Sequence, residues 1–254
     1  MANFAANLTF LFTELPMLQR FAAAKKAGFD GVEILFPYDL ATKDLAKACQ
    51  SAELEFILLN TPPPNWAGGP RGFAAVPGLE DRFRKDFDRS LQFAQTLRSK
   101  HLHVMAGKNE GGAARRTYVQ NLKWACARAP QASLLIEPIN QTDMPGYFLS
   151  SFELAAEVVA EVGASNLGLL FDAYHAHMIS GDVSATWKAY GHLVRHIQIA
   201  GAPGRHEPRV GEIDYAKFFQ HVDAMGYKGW VSAEYVPQTT TDAGLRWMRD
   251  TGAN

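Results

Sequence analysis

Short apolar runs alternate with amphipathic stretches along the whole chain. The runs are bounded by glycine, proline or polar residues, which is typical of buried strands, and the stretches between them repeat apolar residues at helical spacing. The pattern predicts strands over 5–10, 29–35, 54–60, 101–106, 133–138, 167–172, 193–199 and 229–235. It predicts helices over 15–27, 40–52, 79–97, 113–127, 152–162, 183–190, 215–225 and 242–249.

The order of these elements distinguishes two α/β architectures. Eight strand-helix units in 254 residues average about 32 residues each, the size of a βα repeat in a closed (β/α)8 barrel. A doubly wound open sheet would usually carry a glycine-rich turn after its first strand, and residues 5–16 contain no glycine. No linker, low-complexity tract or block of charge divides the chain. We therefore predict one TIM-barrel domain over residues 1–254.

Three of the connections that follow predicted strands are long. They cover residues 61–78, 139–151 and 200–214. In a TIM barrel such connections lie on the C-terminal face, where active sites form. The glycine-rich segment 66–72 of the first connection is predicted to be flexible and is a candidate lid.

Composition narrows the classes of function. With 25 Lys and Arg against 26 Asp and Glu, the chain has a formal net charge of -1 and no broad basic surface for nucleic acid or anionic lipid. Its apolar runs are far shorter than the roughly 18 residues of a membrane span. The N-terminal segment has no signal-peptide pattern, and Cys49 and Cys126 lie in predicted helices without metal-binding spacing. The sequence predicts a cytoplasmic protein with reduced thiols, and it leaves a homo-oligomer open.

Alternation along the strands predicts which polar side chains enter the barrel mouth. Residues of a barrel strand point alternately to the interior and to the helices, so an inward oxygen-bearing side chain ends each of four consecutive strands. Each acid alone could instead pair with an arginine or cap a helix, and the amide could simply bond to backbone. Three converging carboxylates are costly to bury without a cation. The oxygen-only set favours Mg²⁺ or Mn²⁺ over Zn²⁺; its members are Glu137, Asp172, Gln198 and Glu234.

Further polar residues are predicted near the same face. Glu33 points inward and either orients a ligand or pairs with a neighbour; we place it at the site. Lys108 is a candidate for an anionic group of the substrate, although a solvated loop lysine fits the pattern equally well. His175 can reach a substrate hydroxyl from the loop after strand six. Arg205 and His206 lie in the seventh loop and are candidate donors to a carboxylate or polyol.

The chain resembles the hydroxypyruvate isomerases of the xylose isomerase-like TIM-barrel superfamily. The resemblance covers nearly the whole chain and rests on segments such as GFDGVEILFPYD, LLIEPINQTDMPGYFL, FDAYHAHMISGD, HIQIAGAPGRHEPRVGEIDY and GYKGWVSAEYVP. It implies a divalent metal on the four strand-end residues, with Glu137 and Glu234 also serving as the acid/base pair. Similarity to sugar epimerases of the superfamily implies that His175 and Arg205 bind substrate oxygens. Those epimerases usually have a histidine in place of Gln198, which favours the hydroxypyruvate branch.

The implied reaction converts hydroxypyruvate to tartronate semialdehyde (2-hydroxy-3-oxopropanoate) through an enediolate. One glutamate would remove the C3 proton and a glutamate would return a proton at C2, with Mg²⁺ or Mn²⁺ and no organic coenzyme. The expected partner is a small anionic hydroxy-keto acid, with no nucleic acid and no membrane. A 2-oxo-tetronate isomerase, a ketose 3-epimerase on the same metal site and a non-enzymatic binding module remain open. Endonuclease IV, another relative, needs a histidine-rich trinuclear zinc site that this sequence cannot supply.

Overall fold

Eight parallel strands close into a barrel in the computed structural model, which describes residues 3–62, 71–209 and 211–250. The last strand pairs with both the seventh and the first, so the sheet has no free edge. This confirms the predicted (β/α)8 TIM barrel. Residues 66–70 of the candidate lid lie outside the described residues. The strands are β1 (Asn3–Asn7), β2 (Gly31–Glu33), β3 (Glu55–Asn60), β4 (His101–His103), β5 (Ser133–Ile136), β6 (Leu167–Asp172), β7 (Val194–Ile199) and β8 (Trp230–Ala233).

Ten α-helices and one short 3₁₀ helix (Gly191–Leu193) lie in the described part of the chain. The α-helices are numbered in chain order. They are α1 (Met17–Lys26), α2 (Thr42–Ser51), α3 (Glu80–Leu97), α4 (Gly111–Arg128), α5 (Phe152–Val162), α6 (Ala173–Ser180), α7 (Val183–Tyr190), α8 (Tyr215–Ala224), α9 (Thr241–Gly244) and α10 (Arg246–Asp250). The helix predicted over 242–249 is therefore two short helices. None of the described helices is long and apolar enough to cross a membrane.

Helix α6 is the element that the sequence pattern did not predict. It begins directly after β6 because Asp172 caps it: Oδ1 of Asp172 accepts hydrogen bonds from the backbone N–H groups of Tyr174 and His175, at 2.8 and 3.4 Å. Side-chain oxygens at this position satisfy N–H groups that have no partner in the first helical turn. His175 consequently lies in the first turn of a helix and not in the expected loop.

The alternation of side chains along the strands agrees with the prediction. Leu134 and Ile136 of β5 pack in the layer between the strands and the helices, whereas Leu135 lies inside the barrel. Removing this apolar surface from water is the main force that holds the helices on the barrel. The interior below the mouth is filled by an apolar cluster that includes Ala5, Ile57, Leu58, Leu135, Leu170 and Trp230.

Strands β1 and β4 end three residues earlier than predicted. After Asn7 the chain turns, and the carbonyl of Asn7 accepts hydrogen bonds from the backbone N–H groups of Phe10 and Leu11, at 3.1 and 2.9 Å. The apolar residues that follow Asn7 therefore belong to a turn. Asn7 itself pairs in register with Glu33, so both side chains end their strands on the same side of the barrel.

The two cysteines are packed as predicted. Cys49 lies in α2 and Cys126 in α4, and both are buried free thiols. Burial raises the pKa of each thiol to about 11. Neither thiol is in the reactive thiolate form near neutral pH.

Candidate active site

A cavity of about 260 Å³ opens at the C-terminal end of the barrel. It is smaller than the roughly 300–1,000 Å³ of pockets that hold drug-sized ligands, so its size suits a small substrate. Residues from each of the three long connections help to line it. The lining residues are Phe10, Leu35, Asn60, Arg71, Met105, Lys108, Glu137, Ile139, Asp143, Met144, His175, Gln198, Arg205 and Glu234.

The four predicted strand-end residues converge at this mouth. Asp172 pairs in register with Gln198 across β6 and β7, while Glu137 and Glu234 each follow the end of a strand. All four side chains are buried. Three of them line the cavity: Glu137, Gln198 and Glu234. Asp172 does not line it, but its carboxylate bonds to Arg205, which does.

Arg205 connects two of the acids. Its Nη2 atom donates hydrogen bonds to Oδ2 of Asp172, at 2.9 Å, and to Oε1 of Glu234. The guanidinium carbon lies 5.7 Å from the ring centre of Phe10 and 5.2 Å from that of Tyr174, distances typical of cation–π contacts. Burial alone lowers the pKa of Arg205, but the carboxylates of Glu234 and Asp172 outweigh it and leave that pKa above its ordinary value.

Glu137 has a different environment from the other acids. Two ring nitrogens of the described residues lie within 4 Å of its carboxylate: Nδ1 of His103, 3.6 Å from Oε2, and Nε2 of His175, 3.9 Å from Oε1. Neither makes a short hydrogen bond. Burial raises the pKa of Glu137 well above its usual value, and the charges of Asp172 and Glu234 raise it further. This environment favours the protonated, neutral form of the carboxyl group.

Asn140 fixes the protonation of the His175 ring. Oδ1 of Asn140 accepts from the backbone N–H of Asp143 at 2.9 Å, so its Nδ2 must donate to Nδ1 of His175 at 2.7 Å. The ring proton then lies on Nε2, which is 3.6 Å from Oδ2 of Asp172. Burial lowers the pKa of His175 well below its usual value, so the ring is neutral. His175 presents an N–H donor to the cavity.

The donors at the mouth fit a hard divalent cation. Three side chains each place one possible ligand atom within 4.8 Å of the other two; they are Glu137, Asp172 and His175. They form the one group of three or more His, Cys, Asp or Glu side chains with this spacing in the described residues. With its proton on Nε2, His175 has no lone pair to offer there, which leaves the oxygens as ligands. Oε1 of Gln198 is buried without a hydrogen-bond partner, as expected of an oxygen that faces an ion. Carboxylate and amide oxygens are preferred by Mg²⁺ and Mn²⁺.

The structure brings only some of the other predicted residues to the cavity. Lys108 lines it with an exposed side chain, and its backbone forms an isolated bridge with Tyr147. Glu33 is fully buried below the cavity and does not line it. His206 also lies outside the lining; its Nδ1 donates to the backbone carbonyl of Val236 at 2.9 Å.

Asn7, Asn140 and Arg71 are among the residues of the site that were not predicted from the sequence. Asn7 lies two residues after the inward Ala5, so the alternation rule would have found it if the strand end had been known. Asn140 lies in the IEPIN segment, three residues after Glu137, and that position was its only signal. Arg71 has no sequence signal. It lines the cavity next to Gly72, whose backbone passes so close to Met105 that an added Cβ would lie 2.2 Å from the Met105 carbonyl oxygen.

Comparisons with known proteins agree with the resemblance seen in the sequence. The profile of the xylose isomerase-like TIM barrel family matches residues 21–251. The 2-oxo-tetronate isomerase of Cupriavidus necator is 44% identical over 255 residues, covering 98% of each chain. The hydroxypyruvate isomerase of Escherichia coli is 40% identical over 254 residues, also covering 98% of each chain.

A solved structure from Brucella melitensis, described as an AP endonuclease of family 2, superposes closely on this chain. It has a TM-score of 0.95 and 40% sequence identity, and the match covers 98% of this chain and 99% of the other. The family profile and the full-length relatives together show that the chain belongs to the xylose isomerase-like TIM barrel family, alongside the hydroxypyruvate and 2-oxo-tetronate isomerases.

Proposed function

We propose that this isomerase interconverts a small 3-hydroxy-2-keto acid and the isomer with its carbonyl group at C3 and its hydroxyl group at C2, with hydroxypyruvate and tartronate semialdehyde as the leading pair. The observation that carries the proposal is a small cavity on which two buried glutamates, Glu137 and Glu234, lie beside the donors His175 and Arg205. A 2-oxo-tetronate is the second candidate substrate, because the relative that is 44% identical is named for it.

The reaction needs two proton positions. A proton leaves C3 of hydroxypyruvate, a proton reaches C2, and the hydroxyl proton moves from O3 to O2, so no electrons are exchanged and no organic coenzyme is required. Glu137 is placed to take up one proton, since short hydrogen bonds do not hold its carboxylate. Glu234 is held by Asn7 and Arg205 and provides the second position. His175 donates from Nε2 to a substrate oxygen.

The metal is part of the same proposal. Glu137, Asp172, Gln198 and Glu234 would hold Mg²⁺ or Mn²⁺, and the bound cation would supply positive charge that acidifies the C–H group beside the substrate carbonyl.

Charge at the cavity favours an acid over a neutral ketose. Arg71 and Lys108 line the cavity together with Arg205, which is already paired with Asp172 and Glu234, and a keto acid brings a carboxylate that Arg71 and Lys108 can bind. A ketose 3-epimerase could use the same strand-end ligands and Arg205, but a neutral ketose has no carboxylate for Arg71 and Lys108. We therefore place the keto acid first and the ketose second.

The name of the Brucella melitensis structure suggests a different activity, cleavage of DNA. Among the described residues, the one group of three or more metal-binding side chains contains a single histidine, His175. The histidine-rich zinc site expected of endonuclease IV has no counterpart in that group. We do not propose DNA cleavage for this chain.

Substrate assays test the proposal directly. The purified protein with Mn²⁺ is expected to convert hydroxypyruvate to an aldehyde, or a 2-oxo-tetronate to a 3-ketone, in deuterated water. Either product is expected to carry deuterium at C2 because a solvent-exchanged glutamate returns that proton. The measurement is NMR of the product. Epimerisation of neutral ketoses without any turnover of keto acids would replace this proposal with the epimerase.

Removal of the metal is expected to lower activity by roughly tenfold or more, because the C–H group then loses its nearest positive charge. Dialysis against a chelator followed by the same assay measures the loss, and Mn²⁺ or Mg²⁺ added back is expected to restore the rate. Full activity in a sample shown by elemental analysis to be metal-free would contradict the metal site.

A further inference from the structure

Glu33 ends β2 and lies one layer below the cavity. Its side chain is completely buried. Among the described residues, the nitrogens that contact its carboxylate come from Asn7, Gln198 and His196, and none belongs to a lysine or arginine. A carboxylate in this position satisfies polar groups of the barrel and does not reach a substrate.

The contacts of Glu33 determine how the Gln198 amide is turned. Oε1 of Glu33 accepts a hydrogen bond from Nε2 of Gln198 at 2.7 Å. A carboxylate offers only acceptors, so the NH₂ end of that amide must face Glu33 and the carbonyl end must face away from it. The carbonyl oxygen is then Oε1 of Gln198, the buried atom that has no partner, and Gln198 lines the cavity.

The same carboxylate also fixes Asn7. Oε1 of Glu33 accepts from Nδ2 of Asn7 at 2.8 Å, and Nδ2 gives its other hydrogen to Oε2 of Glu234 at 2.9 Å. Oδ1 of Asn7 accepts from the backbone N–H of Thr9 at 3.0 Å, so the amide of Asn7 has one orientation. Glu33 is thus joined to Gln198 directly and to Glu234 through one side chain.

We propose that Glu33 is a positioning residue that turns the carbonyl oxygen of Gln198 towards a divalent cation and, through Asn7, orients Glu234. The proposal rests on the proposed metal site and assigns Glu33 a different role from the substrate contact expected from the sequence. Partners that orient metal ligands in this way commonly affect metal affinity by about 10- to 100-fold. The role concerns how tightly the cation binds and not how the substrate is recognised.

Glu33→Gln is the direct test. The substitution keeps the shape but gives one end of the side chain a donor NH₂ group, so the amide at this position cannot accept from Asn7, Gln198 and His196 together. His196 could accept that NH₂ group only by moving its ring proton to Nδ1, a buried atom without a partner among the described residues. The NH₂ group is therefore expected to face Gln198, whose amide then rotates and presents its own NH₂ group to the cation. Titration with Mn²⁺ in the absence of substrate, by calorimetry or by electron paramagnetic resonance of free Mn²⁺, is expected to show a Kd about 10- to 100-fold higher than that of the unmodified protein.

Two further variants make the outcome specific. His101→Gln changes another polar residue, which bonds to Ser133 and packs on the His196 ring, 5.6 Å between ring centres, without contacting Glu33 itself. Its Mn²⁺ affinity is expected to stay within about threefold of the unmodified protein, well below the effect on an orienting partner. The second is the double variant Glu33→Gln with Gln198→Glu, in which residue 33 becomes the hydrogen-bond donor and residue 198 the acceptor. An oxygen then faces the cation whichever way residue 198 turns, and most of the affinity is expected to return.

The outcomes distinguish an error in the proposed metal site from an error in the role of Glu33. If the unmodified protein does not bind Mn²⁺, the proposed metal site is wrong. If the unmodified protein binds Mn²⁺ and folded Glu33→Gln binds it equally well, Glu33 does not position the ligands. A higher KM for the substrate in that variant would then favour the substrate contact instead. If Glu33→Gln does not fold, Glu33→Asp decides, because its carboxylate is one CH₂ group short of Gln198: a Kd for Mn²⁺ raised about 10-fold or more supports the positioning role, and a Kd within about threefold contradicts it.

Discussion

Glu137→Gln and Glu234→Gln are each expected to lower kcat by about 10² to 10⁴, the usual contribution of a positioned acid or base. The amide has nearly the shape of the carboxyl group but cannot take up a proton. Steady-state kinetics with the keto acid, at saturating Mn²⁺ and with bound metal measured in each sample, gives the size of the loss. A decrease of less than about tenfold in both variants, with metal content intact, would assign the proton transfers to other groups.

The two variants are expected to differ in stability, because their carboxylates have different neighbours. Among the described residues, Glu137 makes no short hydrogen bond, and burial together with the nearby carboxylates disfavours its ionised form. Glu137→Gln is therefore expected to leave the melting temperature of the metal-free protein unchanged or higher. Glu234 accepts from Asn7 on one oxygen and from Arg205 on the other. In Glu234→Gln one of these donors faces an NH₂ group, so the melting temperature is expected to fall.

A buried acid outside the cavity provides the matched control for these kinetics. Glu207 lies in the seventh loop, is buried, and accepts from the backbone N–H of Gln238 at 3.1 Å without lining the cavity. Glu207→Gln is expected to change stability but to leave kcat within about threefold, as expected for a residue outside the site. A loss in kcat as large as in the cavity variants would mean that removing any buried acid disturbs the barrel.

The strands and the acids at their ends could be predicted because both depend on local rules. Alternation along β5 assigns Leu135 to the interior and Leu134 and Ile136 to the helix layer, and the same rule carries Glu137 to the mouth. Each step needs only the period of a strand and the closure of the barrel. The rule failed at β1, where apolar residues continue past the true strand end and conceal the position of Asn7.

The remaining features of the site depend on contacts between distant parts of the chain. The tautomer of His175 is set by Asn140, from another connection, and Glu33 lies below the cavity because its partners Gln198 and His196 come from β7. Nothing in the sequence near His175 or Glu33 specifies these partners. For the same reason the sequence predicted Arg205, Asp172 and Glu234 as residues of the site but not the hydrogen bonds by which Arg205 joins the two acids.

The effect of Arg205→Gln on stability is expected to depend on metal. In the structure the guanidinium group is the cation that joins Asp172 and Glu234, and its side chain is only 22% exposed. Removing one partner of a buried ion pair typically costs about 3–5 kcal/mol because the remaining charge is left unpaired. Since the two acids can take up protons, we expect the lower end: about 3 kcal/mol in the free energy of unfolding, or roughly 6–12 °C in Tm.

Mn²⁺ is expected to recover most of this loss, because a divalent cation bound to the same carboxylates replaces the positive charge that the variant lacks. Thermal unfolding of both proteins, with chelator and with saturating Mn²⁺, measures the two differences. Lys108→Gln is the matched control: it removes a cation that lines the same cavity, and the structure places no carboxylate of the site in a salt bridge with that described lysine. Its Tm with chelator is expected to stay within about 2 °C, as for an exposed charge. An equal decrease in the Tm of Arg205→Gln with and without Mn²⁺ would mean that Arg205 stabilises its loop by stacking between Phe10 and Tyr174. It would also mean that Mn²⁺ does not bind the two carboxylates that Arg205 joins.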